Sequence, residues 1–355
     1  MKNINKERLI KIFTDLVKIP SPSWKEHAVI DYIIGHCKKL GVSSKKIKCQ
    51  NSYNLLIYSK GTINKEPILF SAHTDTVVPC ENVKPRVSQT KITGDGTTIL
   101  GSDDKAAIAM FLEGLYQLRE NKIPHGLIEI LLTCAEEVGL YGAKGIDYKT
   151  IKSKKAFVFD SDGPIGRIVM QAPYHATLNI TIKGKASHAG MQPENGINAI
   201  YVLSNIIVKI PNGRIDNETT ANIGIISGGK ATNIVAEEAT CKLEIRSIDK
   251  NKLKSQVDSI KKVIKETADS YNAKSKILYN LEYAGFKINE NDKLSKIVTN
   301  SLHNLKLPYT FISSGGGSDT NIFNKNGIKE INFSCGWMNP HTTKEYITIK
   351  NLKEE

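Results

Sequence analysis

The sequence predicts an α/β protein in which a mostly parallel, helix-covered sheet carries a smaller inserted α+β domain. Three observations lead there. Short apolar runs, "ILFSAH", "GLIEILLT" and "KAFVFD", alternate with helix-spaced segments, as buried parallel strands covered on both faces do. After "QAPY" at 171–174 the pattern becomes polar/apolar alternation, in "ATLNITIKGKAS" and "ATCKLEIRSID", which suits half-exposed antiparallel strands. Beyond about residue 286 the α/β character returns. At 355 residues the chain is too long for one small core, and we expect a catalytic domain formed by 1–173 and 287–355 around an inserted domain at 174–286.

Taken in order, two amphipathic helices are expected at about 4–18 and 24–40, separated by the breaker "IPSPS", with strands near 46–50 and 54–59. The strand ending at His73 leads to a glycine-rich loop, "GDGTTILGSDD". A helix over about 104–120 follows, with Ala107, Met110, Phe111 and Leu115 on its apolar face. The strands "GLIEILLT" and "KAFVFD" complete this part. Within the insertion, helices are expected at about 195–209 and 250–270. The last part reads as a helix near 291–304, the strand "PYTFIS", the segment "SDTNIFNKNG" and the strand "IKEINFSCG".

Composition removes several function classes. The apolar fraction of 40% is ordinary for a globular protein. No apolar run reaches the eighteen or so residues a membrane helix needs, and the opening "MKNINKERLIKIF" lacks the apolar core of a signal peptide, so a cytoplasmic protein is expected. The six cysteines form no CxxC pair and read as free thiols of a reducing compartment. A net charge of +13 raises the question of nucleic acid, but the excess is scattered lysine with only six arginines and no interleaved aromatics. That is a solvated surface, with no nucleic acid partner expected.

Chemistry concentrates where predicted strands run out. In "AHTD" His73 and Asp75 follow an apolar run. Turn chemistry alone accounts for such residues, but strand alternation also puts both side chains on one face, where a carboxylate can orient a metal-ligating imidazole. The same placement recurs in "GSDDK" at 101–105, "CAEEVG" at 134–139 and "FDSDG" at 159–163. Ligands of open α/β sheets bind beyond the carboxyl ends of the strands, so these clusters should converge. "NPHTTKEY" at 339–346 adds His341. Individually the clusters read as helix caps or helix starts. Together they set adjacent carboxylates at apolar strand ends, where burial without a cation costs several kcal/mol. Two histidines with several carboxylates fit Zn²⁺ or a similar divalent ion.

"SAHTDTV", "GDGTTILGSDDKAAIA", "AEEVGLYGA", "SHAGMQPENGINAI", "SGGGSDTNIF" and "HTTKEY" together resemble the di-zinc metallopeptidases that include peptidase T, carboxypeptidase G, acetylornithine deacetylase and aminoacylase, and most closely the peptidase T-like members. The resemblance spans nearly the whole chain in the family's order. It implies a catalytic domain interrupted by a lid that also dimerises, and two Zn²⁺ per subunit, for which Co²⁺ or Mn²⁺ can stand. By that resemblance His73 and Asp160 hold one metal, Glu137 and His341 the other, and Asp103 bridges them. Glu136 becomes the general base and Asp75 the group that fixes the His73 tautomer.

Two choices stay open within it. Both Asp160 and Asp162 are available in "FDSDG", with Asp160 favoured because it directly follows the apolar strand. In "GSDDK" the resemblance selects Asp103, leaving Asp104 as a cap or an outer group. From the lid, His188 in "KASHAG" matches a histidine that reaches the substrate carbonyl, and Arg246 in "EIRSID" an arginine that binds a substrate carboxylate. The loop "SSGGGSD" lacks the Lys and Ser/Thr of a phosphate-binding loop, which excludes an NTPase. The expected protein is thus a homodimeric aminopeptidase of short peptides such as tripeptides. A deacylase or desuccinylase of N-acyl amino acids would use the same metal centre, and a non-catalytic metal-binding module would have no need of Glu136.

Overall fold

The computed structural model describes residues 4–354 and divides into two compact units. One takes the chain up to Met170, then Lys287–Ser313, then Ser318 onward; the other is Gln171–Phe286 with Ser314–Gly317. Residues 1–3 and 355 of the expected catalytic segments lie outside the described residues.

The first unit is built on a nine-stranded sheet whose first six strands run in the order Ser43–Cys49, Ser52–Ser59, Ile128–Thr133, Ile68–His73, Lys155–Ser161, Lys329–Ser334. The last four of these are parallel, and Ser52–Ser59 pairs antiparallel with Ile128–Thr133. Parallel pairing makes the four carboxyl ends emerge at one edge, from which the segments at 74–75, 134–137, 161–162 and 335–341 depart. The helix Lys6–Lys18 starts at Asn5, whose side chain accepts the Arg8 N–H at 3.0 Å. Its buried Leu9, Phe13 and Leu16 recur at helical spacing. They share one core with Ile30 and Ile33 of His27–Leu40, Ile108 and Leu112 of Ser102–Glu120, and Leu55, Ile130 and Leu132 of the sheet.

The helix following the glycine-rich loop begins irregularly. Gly101 is left-handed at φ 76°, and Asp103 and Asp104 have non-helical backbones, so helical geometry begins only after them. Both side chains are thereby turned away from a capping role. The segment "SDTNIFNKNG" contains a helix, Asp319–Lys325, and only Thr310–Ser313 of "PYTFIS" is strand. A small sheet had no strong sequence signal: Trp337–Met338, Tyr346–Thr348, Lys91–Thr93 and Arg86–Val87 pair in that order. Two- and three-residue strands leave almost no alternation to read. This sheet ties the His341 hairpin to the chain entering the glycine-rich loop.

The second unit is a five-stranded antiparallel sheet in the order Gly213–Arg214, Thr219–Gly228, Glu238–Ser247, Tyr174–Lys183, Lys274–Tyr283. Its core unites Leu178, Ile180 and Ile182 with Leu243 and Ile245 across strands, beneath Val202 and Leu203 of Ala199–Ile207 and Val257, Ile260 and Ile264 of Lys250–Ser270. Thr177, Asn179 and Thr181 alternate with the buried residues and take the opposite face.

Candidate metal centre

His73 is the last residue of its strand and is 2% exposed. Its Nδ1 lies 2.9 Å from the carbonyl oxygen of Asp75, which fixes the proton there and leaves Nε2 facing the acids. Nε2 is 3.0 Å from Asp103 Oδ1 and 3.8 Å from Asp160 Oδ1. Burial opposes a charge on the ring, yet hydrogen bonds to Asp103 and Asp75 outweigh it and hold the His73 pKa well above the ordinary value.

Asp75 does not continue the strand, so its relation to His73 is not simple alternation. Its carboxylate lies 3.5 Å from His73 Nδ1, farther than its own carbonyl. The carboxylate accepts instead from Ser23 Oγ at 2.6 Å and from the backbone N–H groups of Glu136 and Glu137 at 3.0 and 3.2 Å. Burial works against its ionised form, but the His73 ring beside it, with Ser23 and the Glu136 amide, holds its pKa below the usual carboxylate range.

Asp103 reaches both imidazoles. Oδ1 meets His73 Nε2, and Oδ2 lies 3.2 Å from His341 Nε2. Asp104 is fully buried; its Oδ2 accepts the His73 N–H at 3.2 Å, and Cys335 Sγ donates to Oδ1 at 3.4 Å. One ligand atom each from His73, Asp104 and Asp160 lie within 4.8 Å of one another, as do those from His73, Asp103 and Glu137. Asp104 thus stands nearer the cluster than a cap would. The adjacency of two aspartates was visible in the sequence, but that both carboxylates reach His73 depends on the non-helical backbone.

The two aspartates of "FDSDG" separate clearly. Asp160 is 12% exposed and points at His73, whereas Asp162 is 53% exposed and lies 3.3 Å from Arg167. A bulge produces the difference: pairing with Lys329–Ser334 skips from Phe159 to Ser161. Asn332 supplies what the ladder omits, its Oδ1 accepting the Asp160 N–H at 3.0 Å and its Nδ2 donating to the Asp160 carbonyl at 2.7 Å.

Glu136 and Glu137 leave the strand Ile128–Thr133 through Ala135, which has φ 49°. The turn is held by Glu26, whose Oε1 accepts the Ala135 N–H at 2.9 Å, and by Asn54, whose Oδ1 accepts the Cys134 N–H at 3.0 Å. Gly142 closes it from below, since a Cβ there would meet the Cys134 carbonyl oxygen at 2.4 Å. Burial and then the Asp160 charge push the Glu136 carboxyl well above its usual range. His341, 49% exposed, places Nε2 at 3.0 Å from Glu137 Oε1. Asp103 and Glu137 raise its pKa to about 10.

The structure therefore gathers His73, Asp103, Asp104, Asp160, Glu137 and His341, with Glu136 and Asp75 beside them. His188 and Arg246 belong to the second unit. His188 Nδ1 accepts N–H bonds from Gly190 at 3.2 Å and Met191 at 3.1 Å. Arg246 pairs with Glu244 through Nε at 3.2 Å and Nη2 at 3.1 Å, and its Nη1 donates to the Gly315 carbonyl at 3.4 Å. Sequence reasoning passed over Glu26, Asn54, Asn332 and Glu345. Glu345 stood within the quoted "HTTKEY" and Asn332 within the strand "IKEINFSCG", neither with a role attached.

Residues 174–272 match the family described as "Peptidase dimerisation domain", and residues 54–188 match "Peptidase family M28". The uncharacterized protein YqjE of Bacillus subtilis is 38% identical over 98% of this chain and 95% of its own length. Among solved structures, aminopeptidase PepT from Bacillus cereus is 37% identical, covers 98% of this chain and 95% of its own, and has a TM-score of 0.90. A tripeptidase from Staphylococcus aureus, also 37% identical, covers 99% and 95% with a TM-score of 0.93. Fold and sequence together define the class as a peptidase, a hydrolase of peptide bonds. Within that class, the chain belongs to the peptidase T-like M20 metallopeptidases.

Proposed function

We propose that this protein is a metal-dependent aminopeptidase of short peptides, tripeptides foremost, with two divalent cations at the centre just described. The observation that carries the reading is the Asp103 carboxylate, with one oxygen toward His73 and the other toward His341. The donors fit such ions. They are imidazole nitrogens and carboxylate oxygens, which suit Zn²⁺, Co²⁺ or Mn²⁺. Glu137 Oε1 is buried and receives no aligned hydrogen bond, although His341 Nε2 is 3.0 Å away. Five carboxyl groups, those of Asp103, Asp104, Asp160, Glu136 and Glu137, crowd two imidazoles, an excess of negative charge that cations relieve.

His73 and Asp160 would hold one ion, Glu137 and His341 the other, with Asp103 between them and Asp104 at the edge of the first. When bound, such a pair polarises the scissile carbonyl and lowers the pKa of water. Glu136 accepts the proton of the attacking water on a carboxylate oxygen and hands it to the leaving amine. Asp75 fixes both flanks of this step: its carbonyl orients the His73 ring, and its carboxylate anchors the amides of Glu136 and Glu137. From the inserted domain at 174–286, Arg246 binds the substrate carboxylate and His188 the scissile carbonyl, in a homodimer formed through that domain. The names of the aminopeptidase and tripeptidase relatives support the substrate class. The reading places the enzyme in the cytoplasm; no helix of the described residues is long and apolar enough to cross a membrane.

A panel of tripeptides, dipeptides and N-acetyl or N-succinyl amino acids, assayed with Zn²⁺, Co²⁺ or Mn²⁺ and after chelation, tests this. Tripeptide cleavage abolished by chelation is expected. Cleavage of the N-acyl amino acids alone would make the protein a deacylase, and activity that survives complete metal removal would refute the mechanism.

A further inference from the structure

The hairpin bearing His341 has little of its own to hold it. Asn339 and His341–Lys344 are exposed, Asn339 and His341 have φ of 56° and 60°, and the turn's internal bonds run among exposed atoms such as Thr342 Oγ1 to the Asn339 carbonyl at 2.9 Å. Glu345 is its buried foot. Oε2 accepts the N–H groups of Leu100 and Gly101, both at 2.8 Å, and Oε1 accepts Ser102 Oγ at 2.6 Å and the Asp103 N–H at 3.0 Å. The Glu345 N–H closes the His341 turn by donating to the Thr342 carbonyl at 3.1 Å. One carboxylate thus accepts from every residue of the turn presenting Asp103, while its backbone belongs to the turn presenting His341.

We infer that Glu345 is a positioning residue that fixes His341 relative to Asp103 and so sets the affinity of one metal position selectively. The inference rests on the dinuclear reading above. His73 and Asp160 leave paired parallel strands, with Asn332 bracing the Asp160 bulge, and their spacing does not pass through Glu345. The separation of His341 from Asp103 does. The small sheet helps, but Lys91–Thr93 meets Tyr346–Thr348 over only three residue pairs. An amide in place of the carboxylate would set an NH₂ group against N–H or O–H donors, leaving buried donors unpaired. Aspartate keeps the charge but is one methylene too short to span both pairs of donors.

The experiment titrates metal-free protein with Co²⁺ by calorimetry and follows the ligand-field spectrum, using wild type, Glu345→Gln, Glu345→Asp and Ser102→Ala. Wild type is expected to take two equivalents. In Glu345→Gln the equivalent that needs His341 should bind about 10- to 100-fold more weakly, the usual effect of losing a group that orients a ligand, and the other, which shares only Asp103 with it, should weaken much less. Glu345→Asp should weaken the same equivalent to a smaller degree, and Ser102→Ala, which removes one of the accepted bonds, least of all. In a His341→Ala background, where only the hold on the Asp103 turn remains to be lost, Glu345→Gln should weaken the surviving site far less than it weakens the His341 position in the otherwise wild-type protein. Two wild-type binding constants in both Glu345 variants, or equal weakening of both sites, would overturn the inference and leave the dinuclear reading standing. A wild-type protein taking up fewer than two equivalents would overturn that reading, and this inference with it. Where Glu345→Gln fails to fold, the aspartate and Ser102→Ala variants carry the same discrimination.

Discussion

His73 and His341 face the same carboxylate from opposite surroundings. His73 ends a strand paired on both sides, is 2% exposed, and has its tautomer fixed by the Asp75 carbonyl. His341 sits in an exposed turn at 49% and depends for its place on one buried glutamate four residues on. The sheet builds one half of the centre, and side chains bonding to backbone build the other. Rigidity follows from that difference: a ladder tolerates the loss of one side chain far better than a hairpin on a three-residue strand tolerates the loss of its buried carboxylate anchor.

Glu136 stands outside this division and gives the largest expected effect. Glu136→Gln should lower kcat by about 10²- to 10⁴-fold, the usual worth of a general acid–base group, while Co²⁺ uptake stays at the wild-type stoichiometry. A loss of metal in that variant would make Glu136 a ligand and dissolve the distinction between the two halves and the base. The two histidines come next, compared in the metal-free protein by urea denaturation. His73→Ala strips the buried aspartates of their partner and should cost about 3–5 kcal/mol. His341→Ala, at a half-exposed site, should cost at most about 1 kcal/mol. Equal costs would mean that the two halves do not differ in the way their burial indicates.

This contrast also governs what the sequence made legible. The strand ends bearing His73, Glu136, Glu137 and Asp160 follow runs such as "ILFSAH" and "KAFVFD", where apolar density alone marks the strand and its parallel pairing decides where the next residues emerge. The supporting groups left no such mark. Asn332 reads as a polar interruption within "EINFS", and its purpose depends on a bulge in another strand. Glu345 follows an exposed turn and precedes a three-residue strand, so no periodicity announces its burial. In the sequence Asp104 reads as a cap or an outer group because a helix is expected to begin with it; the non-helical backbone at Asp103 and Asp104 turns it inward. The roles of His188 and Arg246 rest on their resemblance alone.

The ladder-built half has its own weak point, which Asn332→Ala exposes. The substitution leaves the Asp160 N–H and carbonyl without their partners and should cost about 2–3 kcal/mol. It should also weaken the metal position opposite to the one Glu345 governs, measured by the same Co²⁺ titration. If both substitutions weakened the same position, the centre would be one mechanical unit rather than two.

Asp319 makes the finest distinction, because it touches neither half directly. It lies beneath the strand ends, with Oδ2 accepting from Thr133 Oγ1 at 2.5 Å and Oδ1 unpartnered. Burial raises its pKa from 3.8 to about 6. A carboxyl with a higher pKa in the folded chain than in the unfolded one binds more protons when folded between those values, so it takes stability away as pH rises through that window. Asn does not titrate. In metal-free protein, the stability of Asp319→Asn relative to wild type should therefore improve between pH 4.5 and pH 7 by on the order of 1–2 kcal/mol, with the weaker Thr133 bond adding a constant cost at every pH. The comparison with wild type at each pH removes the titration of the carboxylates that the Asp319 charge does not reach. A relative stability independent of pH would place Asp319 in contact with water or with a counter-charge, and the interior beneath the strand ends would then be less dry than the burial of Asp319 and Glu330 indicates.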